Sequence, residues 1–149
     1  MRKKELLDLL NKAADSINLH DASLLGFKWI NNTLEFIIEI GEYHYIINDL
    51  EKFVDDINND VVLTLKFAGI ENVECAFYDD FKYNDAEIME NNQREDGTFE
   101  FHFLEFTIPG RISFRYSKFE WCVVGEFNKE QIVQWYKENG LYKGIDEDI

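Results

Sequence analysis

The chain opens on a helical period. Leu6, Leu9, Leu10, Ala13 and Ile17 recur at the i, i+3, i+4, i+7 spacing of one face, which predicts an amphipathic helix over residues 3–17 ended by Asn18. Leu19-His20-Asp21 then leads into a period of two. Leu25, Phe27 and Trp29 alternate with Gly26 and Lys28, and Leu34, Phe36, Ile38 and Ile40 alternate with Glu35, Ile37 and Glu39, so two half-buried strands are expected. Between them Asn31-Asn32 suits a type I′ hairpin turn, because asparagine tolerates the left-handed conformation. Gly41 marks a bulge or bend before a further strand-like stretch at 43–47.

The period changes again at residue 49. Leu50, Phe53, Val54 and Ile57 share a helical face, predicting a helix over 49–58 capped by Asn48 or Asp49 and stopped by Asn58-Asn59. Strands are expected at 61–67 and 70–78, joined by Ala68-Gly69 as a tight hairpin. Residues 79–97 have the weakest pattern, with seven acids and few apolar positions; they read as an acidic, mobile loop with a short helix over 85–91 capped by Asn84. Strands over 98–108 and 111–124 form the clearest hairpin, with Pro109-Gly110 placed for the centre of a type II turn. Ile112, Phe114 and Tyr116 have one parity and Phe119, Trp121 and Val123 the other, which a bulge near Ser117-Lys118 would reconcile. The last helix starts at Asn128, with Gln131 completing a capping box, Phe127 and Ile132 forming a staple, and Asn139-Gly140 as the stop. The tail 146–149 is expected to fray. Together these elements predict one α+β domain over residues 1–149: an antiparallel sheet of about six to seven strands built from hairpins, with the N- and C-terminal helices packed against one face.

Composition narrows the function more than the fold. The net charge is −15, and residues 49–105 carry sixteen Asp or Glu against Lys52, Lys66, Lys82 and Arg94, a net of −12. Such a surface attracts basic proteins and repels nucleic-acid phosphates and anionic membranes. Thirteen Phe, seven Tyr and three Trp supply the apolar area that offsets this self-repulsion. No apolar run approaches eighteen residues, and Glu5 and Asp8 interrupt the basic start, so neither a membrane span nor a signal peptide is expected. Cys75 and Cys122 sit in apolar strand-like runs and read as buried free thiols of a cytoplasmic protein.

Catalytic patterns are missing from the sequence. It has no G-x-S-x-G, P-loop, G-x-G-x-x-G, H-E-x-x-H or C-x-x-C. His20, His44 and His102 are far apart, and His20-Asp21, as neighbours on a strand, would point to opposite faces. Asp55-Asp56 and Asp79-Asp80 invite a calcium reading, but the EF-hand pattern fails from Asp79 and from Asp80. Arg111, Arg115 and Lys118 are too few for a phosphate-binding face. No catalytic residue, metal site or cofactor is therefore expected.

Leu19-His20-Asp21-Ala22 running into Leu25-Gly26-Phe27, a hairpin, and the stretch from Val62 to Val73 resemble a pattern in small acidic uncharacterised bacterial proteins. Several such families resemble the immunity proteins of polymorphic toxin systems, small α+β domains that bind and block a toxin. The resemblance implies a cytoplasmic, non-enzymatic protein that neutralises a basic toxin domain. The residues expected to meet that partner are Asp55, Asp56, Tyr78, Asp79, Asp80, Phe81, Tyr83, Asp85 and Glu87, acids for steering and aromatics for anchoring. Two alternatives stand beside it: a small hydrolase-like enzyme using a histidine and carboxylate cleft, and a structural homodimer.

Overall fold

The computed structural model describes residues 1–12, 14–76, 86–94, 96–105 and 108–141. In chain order the elements are α1 (Lys3–Leu10), β1 (Ser23–Ile30), β2 (Thr33–Ile40), α2 (Glu42–Ile47), a 3₁₀ turn (Glu51–Phe53), β3 (Asp60–Ala68), β4 (Glu71–Ala76), β5 (Ala86–Gln93), β6 (Thr98–Glu105), β7 (Ile108–Arg115), β8 (Lys118–Phe127) and α3 (Lys129–Glu138). All eight strands join one antiparallel sheet in the order β4-β7-β6-β5-β1-β2-β3-β8. Among the described residues no helix is long and apolar enough to cross a membrane.

The sheet folds over on itself. Its two halves, β4-β7-β6-β5 and β1-β2-β3-β8, meet at a seam where β1 and β5 share only the pairs Ser23↔Glu87 and Leu24↔Ala86. The backbone of the preceding turn extends the seam, Asp21 donating to the Ile88 carbonyl and Ile88 to that of Ala22, both at 2.8 Å. The inner faces then pack ring against ring. Phe36 of β2 lies 4.7 Å from Phe101 of β6, and Phe67 of β3 lies 4.7 Å from Phe99 and 4.8 Å from Phe114. Such tilted and edge-on aromatic pairs add to area burial, so the phenylalanine excess of the sequence closes the sandwich.

Two chain crossings hold the far ends together. The chain passes from β3 to β4 and from β7 to β8 at adjoining corners, where Ser117 N–H donates to the Ala68 carbonyl at 3.0 Å and Ile70 N–H to that of Asn32 at 3.2 Å. Ala68-Gly69 is thus a corner and no hairpin, since β4 pairs with β7 at the opposite edge of the sheet. Gly69 takes a φ of +66°, and an added Cβ would come within 2.4 Å of Ser117 Oγ. The parity change along 111–124 is real, but a crossing between halves produces it; Phe119 is partly buried, and Trp121 and Val123 are buried, after the corner.

Other sequence expectations need correction. Pro109 and Gly110 are not the centre of a turn: both lie in β7, paired with Leu104 and Phe103 of β6. Gly110 sits inside β7 beneath the Phe103 ring, where a Cβ would fall 2.1 Å from Cε2. Residues 86–93 form a strand, not a helix, since the seam and β6 both supply backbone partners there. The first helix stops at Leu10: Asn11 leaves it to accept the Trp121 amide of edge strand β8 at 3.0 Å, while Ala14 and Ile17 still reach the core. Ala13 and residues 77–85 and 142–149 lie outside the described residues.

The two long helices take opposite faces. Leu6 and Leu10 of α1 join the inner core, whereas Ile132 and Tyr136 of α3 pack with Leu25 and Val62 on the outside of β1-β2-β3. Asn128 and Gln131 form the expected reciprocal cap at 2.9 Å each, and Leu141 N–H reaches the Tyr136 carbonyl across Gly140 at φ +67°. The Tyr136 hydroxyl donates to the buried Glu39 carboxylate, tying α3 to β2.

Candidate interaction surface

The stretch 43–47 folds as helix α2 although its tyrosines and isoleucines favour strands. A strand would put Tyr43, Tyr45 and Ile47 on one face. Instead the neighbours His44 and Tyr45 are both buried, which only a helix achieves here. Gly41 caps the start in extended backbone. Asp49, at φ +55°, ends the helix in a Schellman turn, with Leu50 N–H reaching the Tyr45 carbonyl at 2.7 Å and Asp49 N–H that of Ile46 at 3.4 Å. The Tyr45 hydroxyl donates to the Asn59 carbonyl at 2.8 Å, and burial, then the charges of Asp60, Glu126 and Glu39, push its pKa up.

Burying His44 and Tyr45 turns the rest of the helix outward. Tyr43, Ile46 and Ile47, at i, i+3 and i+4, are 51, 54 and 39% exposed, and Ile57 on the following loop is 41% exposed. The helix expected over 49–58 is absent: this segment is a loop with a single 3₁₀ turn at Glu51–Phe53, and it is pinned beside them. Leu50 and Phe53 are buried, and the Glu126 carboxylate accepts from the amides of Asp55 at 2.9 Å and Asp56 at 3.2 Å and from Asn59 Nδ2 at 2.7 Å. The chain's terminal ammonium meets Asp55 at 2.7 Å, which raises its pKa. Within the segment 42–59, Glu42, Asp49, Glu51, Asp55 and Asp56 are exposed. Lys52 is the only basic residue between Gly41 and Asp60, and its Nζ sits 5.3 Å from the Phe53 ring. The result is an apolar patch in an acidic setting. Scattered exposed apolar residues are ordinary, whereas these three share one face of one short helix.

Asp55 and Asp56 are exposed on the loop that follows α2. Glu87 is exposed on β5, where it pairs with Ser23 of β1. Tyr78, Asp79, Asp80, Phe81, Tyr83 and Asp85 lie outside the described residues. Tyr43, Ile46 and Ile47 escaped sequence reasoning because a run of strand-forming residues hid the helix. The signal was Gly41 before the run and Asn48-Asp49 after it, a start and a stop six residues apart.

The histidines are engaged with protein groups. His20 and Asp21 do meet, at 3.4 Å, because Asp21 is a turn residue with φ +65° and the strand alternation assumed for the pair does not apply. His20 Nδ1 also lies 2.9 Å from the Met89 carbonyl, at the rim of a polar cavity of about 540 Å³ that includes Asn18, Asn48 and Asn91. His102 Nε2 is 2.7 Å from Oε1 of the buried Glu100, which also pairs with Arg94. Cys75 and Cys122 are free but exposed, contrary to expectation: Cys75 is on edge strand β4, and Cys122 points away from the core on edge strand β8. Among the described residues no group of three or more His, Cys, Asp or Glu is placed to hold a metal ion. Comparison of the chain with protein-family models, with curated proteins and with solved structures finds no match.

Proposed function

We propose that this chain is a non-enzymatic binding protein that captures a basic protein, as the immunity proteins it resembles capture toxins, with α2 and the loop behind it at the centre of contact. One observation carries this role: Tyr43, Ile46 and Ile47 stand exposed on one helix face, in a segment, 42–59, whose charged side chains are five exposed acids and one lysine. Apolar side chains at the centre gain most when a partner excludes water, and tyrosine is enriched among such anchors. The acids speed encounter with a basic partner and suppress acidic ones, an effect that salt weakens.

A hydrolase-like role has the cavity beside His20 in its favour, but both ring nitrogens of His20 already face protein groups, Met89 O and Asp21. The binding role is tested with purified basic proteins encoded beside this gene, titrated calorimetrically at low and high ionic strength. A partner should bind more weakly in high salt. Tyr43→Ala and Ile46→Ala should each weaken binding by about 1–2 kcal/mol or more, roughly five- to thirtyfold, without loss of stability. Absence of any binder at low ionic strength, or unchanged affinity in both variants, ends the proposal.

A further inference from the structure

His44 fastens α2 to the body of the protein, and its hydrogen bonds permit only one charge state. Its Nδ1 accepts the Gly41 amide at 3.2 Å, closing the first turn of the helix. Its Nε2–H donates to the His20 carbonyl at 2.9 Å, on the turn before β1. A neutral imidazole does both, as the Nε2–H tautomer; the cation carries a proton on each nitrogen and would set Nδ1–H against the Gly41 N–H.

We propose that His44 is a pH-sensitive latch: its protonation releases the first turn of α2 from the His20-Asp21 turn and withdraws the Tyr43, Ile46 and Ile47 face from a partner. The effect on a partner rests on the binding role argued above; the latch itself does not. Asp21 and His20 face the ring from the turn before β1, and the Tyr43 ring meets it edge-on at 5.4 Å from its own helix. Asp60 of β3 lies beside Gly41, where a glycine Cβ would come 2.9 Å from its Oδ1. Burial lowers the His44 pKa below its ordinary 6.5; the His20 carbonyl and Asp21 oppose that, and the His20 ring adds to it. A lowered pKa in the seated state means that the released state binds the proton more readily. The latch is therefore fully closed above pH 6.5 and weakens as the pH falls below it.

Amide hydrogen exchange on the intact chain between pH 7.5 and 5.5 tests this without any partner. His44, Tyr45 and Asn48, whose amides donate to Gly41, Gly41 and His44 carbonyls, report on α2; Leu63 and Leu65 report on the core strand β3. Below pH 6.5 the protection factors of the α2 amides should fall by up to tenfold per pH unit while those of β3 hold. A fall of both sets together, or no fall in α2, overturns the latch. His44→Gln should abolish the pH response of α2, and its persistence in that variant overturns the proposal as well. Because no partner is present, failure here leaves the binding role standing, and failure to find a partner leaves the latch standing.

Discussion

Replacing Gly69 separates a corner from a hairpin turn. At φ +66° any L-residue pays for the left-handed conformation, roughly 1–2 kcal/mol for alanine. A hairpin turn would stop there. At the corner the new Cβ also meets Ser117 Oγ at 2.4 Å and Ser117 Cβ at 2.8 Å, and while the hydroxyl can rotate away, the Cβ cannot. Overpacking of this kind costs about 1–3 kcal/mol, so Gly69→Ala should lose roughly 2–5 kcal/mol. Asparagine tolerates the left-handed region, which makes Gly69→Asn the sharper probe. It sheds most of the backbone cost yet keeps the clash, and should still lose about 1–3 kcal/mol. Urea unfolding at neutral pH reads both, with the midpoint falling and the slope unchanged. Ser117→Gly in the Gly69→Ala background should recover part of the loss, a coupling of about 1–2 kcal/mol. If Gly69→Asn comes within about 0.5 kcal/mol of the parent, the clash is absent and the crossing described at Ser117 is wrong.

Two further outcomes follow from individual side chains. Glu126→Ala removes the acceptor shared by the Asp55 and Asp56 amides and Asn59. Exchange of those two amides should quicken at least tenfold while the Leu63 and Leu65 amides stay protected, and unchanged exchange would show that the loop is held by other contacts. Trp121 is buried with an indole N–H that has no hydrogen-bond partner among the described residues, so Trp121→Phe discards an unpaired donor costing about 1–3 kcal/mol. That gain offsets the smaller ring, and thermal unfolding should place the variant within about 1 kcal/mol of the parent; a loss of 3 kcal/mol or more refutes the unpaired state.

Legibility in the sequence tracked how far apart the deciding partners are. The cap of α3 at Asn128 and its stop at Gly140 are settled by residues within one turn, and both stand as the pattern predicts. The β1–β2 hairpin likewise closes on Asn31-Asn32, although only Asn31, at φ +54°, is left-handed, so the turn is not the type I′ expected. Trp29 shows the limit: it keeps the strand parity of Phe27 yet is 46% exposed near the end of β1, while the bulge at Leu24/Gly26 puts Leu25 in the outer cluster and Phe27 against the inner core. The acidic loop expected at 79–97 proved to hold a strand. Residues 86–93 contribute one buried isoleucine, Ile88, and their order comes from partners in β6 and in the turn at Asp21-Ala22.

The sequence by itself determined the class of the protein: periodicity and turn chemistry specify an antiparallel α+β domain, and local charge makes its surface acidic. Only the tertiary structure decided where the strands pair, which faces the helices cover, and that Tyr43, Ile46 and Ile47 stay outside. Alternation tells which residues share a face but not which strand that face will meet. A corner and a hairpin can use the same glycine, and the strand-like stretch 43–47 lies in a helix in which two adjacent side chains, His44 and Tyr45, are both buried.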